Sequence, residues 1–495
     1  MIYVHSLGRA SRYYPERKAL ALGGSCLSFR DLERRVTHVA AALSKQGFGV
    51  GDRLAFLLPN GPEYIELVYA CSRLGIIAVP LNTRLSVVEI DRALADANPR
   101  GFVRDSSLPA PSARIPWERV LDREPWEPSD DLLKNFYDPD AILALIYTSG
   151  TTGRPKGVMV SHANVLADVD NFNYWMRYRE GGVYLHAAPI FHIADFPAMF
   201  AAAAFGACQV TIPKFSPQTF CETVLRERVT HTVLVPTMIN LLTQFPALGT
   251  YDLSSLEVLA YGGSPMAPEL IRRIRELMPN LKLVQVYGLS ETGFLTGLQD
   301  QEHTESRLLS CGRPCPGVDV QVMDESGKPT EIGQPGELVA RGANVMRGYW
   351  NNQKETALAF RDGMFRTGDV GYQDAAGYFF ILDRLKDMIV TGGENVYSGE
   401  VEAVIYQHPA VREAAVFGVP DPKWGEIVMA CVVLKPGTTL GVDELIAYCR
   451  RSLANYKVPR RVEFVETELP KSGSGKILKR ALRDRFWHDQ RRAVG

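Results

Sequence analysis

ILALIYTSGTTGRPKG (142–157) decides how this chain of 495 residues is read. Five apolar residues run straight into a segment of hydroxyls (Thr148, Ser149, Thr151, Thr152) and glycines (Gly150, Gly153, Gly157) that closes on Lys156. The apolar run predicts a buried strand. Glycines let successive backbone N–H groups turn toward one point, and hydroxyls add donors, so the segment suits a polyphosphate. It departs from the P-loop, which needs GxxxxGK[ST], because Pro155 precedes Lys156 and Gly157 follows it. A plain Ser/Thr/Gly turn is the bland alternative. The downstream residues, VMVSHANVLADV (158–169), predict strand, turn and helix.

Outward from this loop the chain alternates helical and strand patterns. SFRDLERRVTHVAAALSKQG (28–47) and PEYIELVYACSRLGI (62–76) carry apolar residues at helical spacing, and DRLAFLLP (52–59) and AVPLN (78–82) are short apolar strands. Such alternation predicts an α/β fold with parallel sheets covered on both faces. SSLPAPSARIPWERVLDREPWEPSDD (106–131) has no period and predicts a surface excursion. From about residue 316, short alternating runs between Gly/Pro turns predict a small antiparallel β-barrel or sandwich. Beyond about 387 the pattern is that of a small α+β domain.

Composition narrows the function. Hydrophobic residues are 46% and charged residues 22%, so the chain is globular. Lys+Arg (55) and Asp+Glu (56) balance to a net charge of −1, which argues against a nucleic-acid binder. Residues 450–495 are the exception, with 13 basic against 5 acidic side chains. Eight scattered cysteines form no zinc signature and read as reduced thiols of a cytoplasmic protein. No signal peptide is apparent, and the longest apolar stretch, 196–208, is too short to span a membrane and predicts a buried helix.

Four further segments carry candidate chemistry: YGLSETG (287–293), FRTGDVG (365–371), DRLKDMIVTGGENVYSGEVE (383–402) and PKSGSGKILKRAL (470–482). Each alone has a bland reading: a capped helix start at Ser290, a Gly-Asp turn at 368–369, a solvated basic helix start near 476. Together with 147–157, and in this order, they resemble the signature motifs of the adenylate-forming superfamily, whose members include acyl-CoA synthetases, peptide-synthetase adenylation domains and firefly-type luciferases. The resemblance covers essentially the whole chain.

That resemblance implies a large N-terminal domain over 1–384, built of two parallel-type sheet subdomains and the small barrel, and a small mobile lid over 385–495 rotating about a hinge at Lys386. It implies that the loop (Thr148, Ser149, Gly150, Thr151, Thr152, Gly153, Lys156) grips the β- and γ-phosphates of ATP. Tyr287 and Gly288 would border adenine, and Ser290 replaces the family's usual Thr while keeping its hydroxyl. Glu291 would help to hold Mg²⁺, Asp369 the ribose hydroxyls, and Arg384 ribose and phosphate. Asp383 stands where the family more often has Gly. Lys476 would be the catalytic lysine of adenylation. Gly392, Gly393 and Trp424 would line the path of coenzyme A, although Trp424 equally suits an inter-domain contact.

The acid would enter near APIFHIADFPAMF (188–200), where His192 matches a histidine that flanks the carboxylate in aryl- and fatty-acyl-CoA synthetases. Tyr261, Gly262, Gly263 and Ser264 would form another wall. His192 stands where amino-acid-activating relatives carry Asp, which argues against an α-amino acid. Asp195 either reads a polar substrate or, the favoured expectation, turns away from the acid toward surface partners. The implied reaction is carboxylic acid (fatty or aromatic) plus ATP to acyl-AMP and pyrophosphate, then thiolysis by coenzyme A to acyl-CoA and AMP. Loading of a carrier protein and a non-catalytic relative are the alternatives, and a homodimer is compatible with the resemblance.

Overall fold

The computed structural model describes residues 6–121, 126, 135–149, 155–471 and 477–487. Local sequence explains where its elements start and stop. Ser28 caps the helix Phe29–Lys45 by accepting from Asp31 N at 3.1 Å, and Phe29, Leu32, Val36, Val39, Ala40 and Leu43 recur at helical spacing and are all buried. The helix Pro62–Leu74 opens with proline and closes on Gly75 at φ 71°. Ser161 and Asn164 form a reciprocal capping box that starts His162–Met176.

The strands fall into three sheets. The first runs Trp117–Leu121, Gly101–Asp105, Arg53–Leu57, Ile77–Pro80, Ile142–Ser149, Pro155–Ser161; its neighbours are parallel except the last pair. The two strands that flank the glycine-rich loop therefore pair antiparallel at the edge of a parallel sheet. One expectation is corrected here. Within the Pro-rich stretch, Trp117–Leu121 pairs along Gly101–Asp105 and forms the opposite edge of this sheet.

The second sheet has a parallel core in the order Lys18–Leu22, Cys208–Thr211, Val183–His186, His231–Leu234, Val258–Gly262, Lys282–Leu289. Gly293–Leu298 folds back antiparallel on Lys282–Leu289, and the ladder continues through Ser310–Pro314, Phe379–Arg384, Met364–Gln373, Gly336–Gly342 and Val318–Met323. The small β unit read from residue 316 onward is thus joined by hydrogen bonds to the second parallel sheet. The third sheet takes all its strands from residue 389 onward: Glu394–Val396, Ile389–Thr391, Gly425–Leu434, Val411–Asp421 and Arg461–Phe464.

The first two sheets face one shared core. Phe56 and Ile146 of the first, Ala260 and Val286 of the second, and Phe172 and Phe200 from intervening helices belong to it. At roughly 1.5–3 kcal/mol per buried large apolar side chain, this core is what fixes the two sheets relative to each other. Asn60, just past the C-terminal end of Arg53–Leu57, donates to His186 O at the C-terminal end of Val183–His186, so strand ends of the two sheets, where open α/β folds bind ligands, adjoin there.

Candidate functional site

The hairpin Lys282–Leu289/Gly293–Leu298 carries YGLSETG as strand, turn, strand, so Ser290 caps no helix. Tyr287 lies at the C-terminal end of the parallel core, and its hydroxyl donates to Asp369 Oδ2 at 2.6 Å. The other oxygen, Oδ1, is 2.6 Å from Arg384 Nε. Asp369 lies within the ten-residue strand Met364–Gln373, opposite Arg384 in the ladder, so the TGD segment is strand and not a free turn. Burial, with the Asp369 charge beside it, holds the Tyr287 phenol well above its ordinary pKa, so it stays a donor. Two residues from separate motifs, Tyr287 and Arg384, thus converge on the carboxylate of a third.

A second chain of contacts links the glycine-rich hairpin to the same place. Lys156 forms an ion pair with Glu355 and lies 5.0 Å from the centre of the Tyr349 ring. Tyr349 donates to Glu291 Oε1 at 2.9 Å. Backbone bonds brace the arrangement: Trp350 N to Gly157 O at 2.8 Å, Met159 N to Gly348 O at 2.9 Å, Met346 N to Glu291 O at 2.8 Å. Arg384 is near enough to Glu291 for their charges to interact. Lys156, Glu291, Tyr287, Asp369 and Arg384 are therefore one neighbourhood.

Beneath Glu291 lies a small cavity bordered by Asn164, Asp168, Ile193, Ser290, Gly293 and Asn344 among others. Asp168 is 2% exposed; its Oδ1 accepts from Phe294 N at 2.8 Å and Oδ2 has no partner among the described residues. Burial pushes this carboxyl up to about 7.

Comparison with known proteins agrees with this neighbourhood. Residues 7–350 match the AMP-binding enzyme model and residues 400–476 that of the AMP-binding enzyme C-terminal domain. The chain belongs to the AMP-binding enzyme family. A feruloyl-CoA synthase of Amycolatopsis sp. is 40% identical over 483 residues, 97% of this chain and 98% of that protein. The long-chain-fatty-acid–CoA ligase FadD13 of Mycobacterium tuberculosis is 34% identical over 480 residues, 93% of each. Among solved structures, the amide bond synthetase McbA from Marinactinospora thermotolerans has a TM-score of 0.90 at 33% identity, over 98% of this chain and 99% of that one. This AMP-binding enzyme is an AMP-forming acid–CoA ligase that uses ATP and coenzyme A.

In the segment of this AMP-binding enzyme where the acid is expected to enter, His192 sits in the turn before the helix Phe196–Ala204. Its Nε2 is sealed from solvent and has no partner among the described residues, and burial, aided by the Arg84 cation, pushes its pKa down to about 4. The ring is neutral at pH 7. Asp195 corrects an expectation: it turns inward, fully buried, to Tyr184 and to His186 Nδ1 at 2.8 Å, because the end of the neighbouring strand supplies donors that no surface position would. Tyr261 also differs. Strand alternation puts it with Leu259 in the outer core of the second sheet, opposite Ala260. His303 Nδ1 donates to Gln299 O at 2.8 Å, so its Nε2 is left to accept the Tyr261 hydroxyl at 2.9 Å. Gly262 permits close strand approach: a Cβ there would lie 2.2 Å from Val286 O. Gly263 has φ +79°, and Ser264 lies in the turn that follows.

In the C-terminal segment, Gly392 N donates to Trp424 O at 2.8 Å, and a Cβ on Gly392 would be 2.6 Å from the indole, so the GGEN turn and Trp424 pack together. Gly393 adjoins them at φ +87°. Lys423 and Arg460 hold their charges 4.9 and 4.5 Å from that ring. Asp383 caps Ser398, whose N and Oγ donate to its Oδ2 at 2.5 and 2.6 Å. Thr148 pairs with Lys156 across the hairpin, and the backbone of Ser149 pairs with Pro155. The side chain of Ser149, and Gly150, Thr151, Thr152, Gly153 and Lys476, lie outside the described residues. Sequence reasoning missed Tyr349, Glu355 and Arg460. None sits in a local pattern, and only the fold brings them to the motifs.

Proposed function

We propose that this ligase activates an aromatic carboxylic acid. Support comes from the 40% identity to a feruloyl-CoA synthase, against 34% to the fatty-acid ligase, over nearly the full length of the first. The observation that carries the site assignment is the convergence of Tyr287 and Arg384 on Asp369 beside the Lys156–Tyr349–Glu291 contacts.

In this reading ATP lies along that neighbourhood. The ribose hydroxyls take the place of the Tyr287 hydroxyl on Asp369, which frees the Tyr287 ring to lie along adenine. A carboxylate suits this exchange because it accepts two donors at once. Arg384 serves ribose and phosphate. The glycine-rich loop and Lys156 hold the β- and γ-phosphates, with Lys156 leaving Glu355 for them.

Mg²⁺ fits the donor chemistry here. Glu291 is a hard oxygen donor, and no cluster of three His, Cys, Asp or Glu able to hold a metal exists among the described residues. One carboxylate plus phosphate oxygens and water is how Mg²⁺ is commonly bound. When bound, the ion would neutralise phosphate charge beside Glu291.

The acid carboxylate, lying beside neutral His192, attacks the α-phosphorus and pyrophosphate leaves. Lys476 spans the two negative reactants, and its charge is worth most in the transition state. The lid, residues 385–495, then turns about Lys386, and the coenzyme A thiol arrives past Gly392, Gly393 and Trp424 to displace AMP. An internal thiol is a poor candidate: burial pushes Cys311 and Cys315 up to about 12, leaving them protonated. The eight unbridged cysteines support a reducing, cytoplasmic setting, and no described helix is long and apolar enough to cross a membrane.

The test is acid-dependent pyrophosphate release across cinnamates, benzoates and saturated acids from acetate to palmitate, each with and without coenzyme A. The aromatic reading expects the highest kcat/KM among the cinnamates or benzoates. A maximum at a saturated acid overturns it. Pyrophosphate without consumption of coenzyme A would reassign the acceptor to a carrier thiol or an amine.

A further inference from the structure

The segment 186–195, which carries His192, is closed at its base by its own side chains. It leaves the strand Val183–His186 and enters the helix Phe196–Ala204. His186 Nδ1 lies 2.8 Å from Asp195 Oδ2, and Tyr184 O–H bonds the other carboxylate oxygen. Both His186 and Asp195 are 0% exposed. The second ring nitrogen of His186 is 3.1 Å from Gln209 Oε1 on the neighbouring parallel strand. Both carboxylate oxygens of Asp195 are therefore held by neighbouring side chains.

Two further sets of bonds hold the loop above this base. Asp195 N and Phe196 N both donate to His192 O at 3.0 Å, and His192 N donates to Pro189 O at 3.1 Å. From the first sheet, buried Asn60 donates to His186 O at 3.2 Å and Ala188 O at 2.8 Å and accepts from Ile190 N at 2.9 Å. The loop is clasped below and clamped from the opposite sheet. The His192 imidazole stands on this loop with its Nε2 sealed and without a partner among the described residues.

Burying a carboxylate among aromatic side chains is an expensive way to close a loop, and well-packed apolar residues would close it more cheaply. What the polar closure adds is direction: it fixes the loop's angle as apolar packing does not. We propose that Asp195 and His186, with Asn60 opposite, are positioning residues that aim His192 at the acid carboxylate. This rests on the reading of His192 as part of the acid site.

The experiment is a double-mutant cycle in the full chain. Asp195→Asn keeps the size of the side chain but removes the charge that both Tyr184 and His186 hold. Its kcat/KM for the acid in pyrophosphate release should fall about 10²-fold, the cost of an ångström-scale misplacement, while KM for ATP stays within about twofold. In a His192→Ala background the same substitution should cost less than about twofold, because nothing is left to aim. Equal losses in both backgrounds overturn the proposal and make the clasp a purely structural element. His192→Ala at wild-type kcat/KM overturns the premise instead, and that single variant tells the two failures apart. Should Asp195→Asn fail to fold, Asn60→Ala enters the same cycle from the other sheet, with about a tenfold loss expected that again vanishes without His192.

Discussion

Gly288→Ala adds a single methyl group, and the structure says what it would strike. Gly288 stands opposite Phe294 in the hairpin, next to a register shift. A Cβ there would lie 1.8 Å from Gly293 O, 2.8 Å from Gly293 C and 3.2 Å from Phe294 Cα. All three are backbone atoms, so no rotamer change relieves the contact. Reaching even a tight 3.0 Å requires the strands to part by about 1.2 Å, the shortfall from the 1.8 Å contact. The turn between them carries Ser290 and Glu291, and it is held elsewhere by Tyr349 O–H on Glu291 at 2.9 Å and Met346 N on Glu291 O at 2.8 Å. Overpacking of this kind costs about 1–3 kcal/mol of stability. The displacement should cost about 10²-fold in acid-dependent pyrophosphate release. Gly249→Ala, where a Cβ meets nothing within 4 Å, is the matched control and should keep wild-type rates. A Gly288→Ala enzyme within about threefold of wild type would refute the argument that close strand approach is what requires glycine there.

Two other outcomes follow from the site. Lys476→Ala should lower pyrophosphate release by about 10²-fold or more while thioester formation from preformed acyl-adenylate stays within about threefold, and equal loss of both half-reactions would count against its assigned role. Asp168, raised by burial to about 7 from 3.8, keeps a proton in the folded state that the unfolded chain has already lost between pH 4 and 7, so it lowers stability as pH rises through that window. Three pH units bound the effect at about 4 kcal/mol. Urea unfolding at pH 5 and pH 8 should show Asp168→Asn gaining on wild type at the higher pH, and a pH-independent difference would disprove the linkage.

Much of the fold is legible because its signals are local. Ser28 with Asp31 three residues on, Pro62 and Gly75 bracketing a helix, and the apolar run 142–146 before hydroxyls and glycines each act within a few residues. What local pattern does not carry is partnership. The strand Trp117–Leu121 hides among prolines because its burial alternates weakly, and its hydrogen bonds come from a strand it does not resemble. Likewise the small β unit reads as separate because Gly/Pro turns delimit it, although its ladder runs unbroken into the second sheet.

The site divides in the same way. Tyr287, Asp369 and Arg384 are recognisable from their motifs, yet no motif states that they share one carboxylate across 82 and 15 residues of chain. Tyr261 could have been placed from parity alone, since Leu259 and Tyr261 share a strand face and Ala260 does not. Asp195 could not. A lone acid in an apolar segment is most cheaply satisfied at a surface, and only the return of the chain past His186 and Tyr184 makes burial affordable. The residues to which chemistry is assigned are read from local motifs. Those that hold them in place, Tyr349 on Glu291 and Asn60 across the sheets at long sequence separation, and Asp195 on His186 across a strand-to-helix turn of nine residues, are reached by physical reasoning only through the fold.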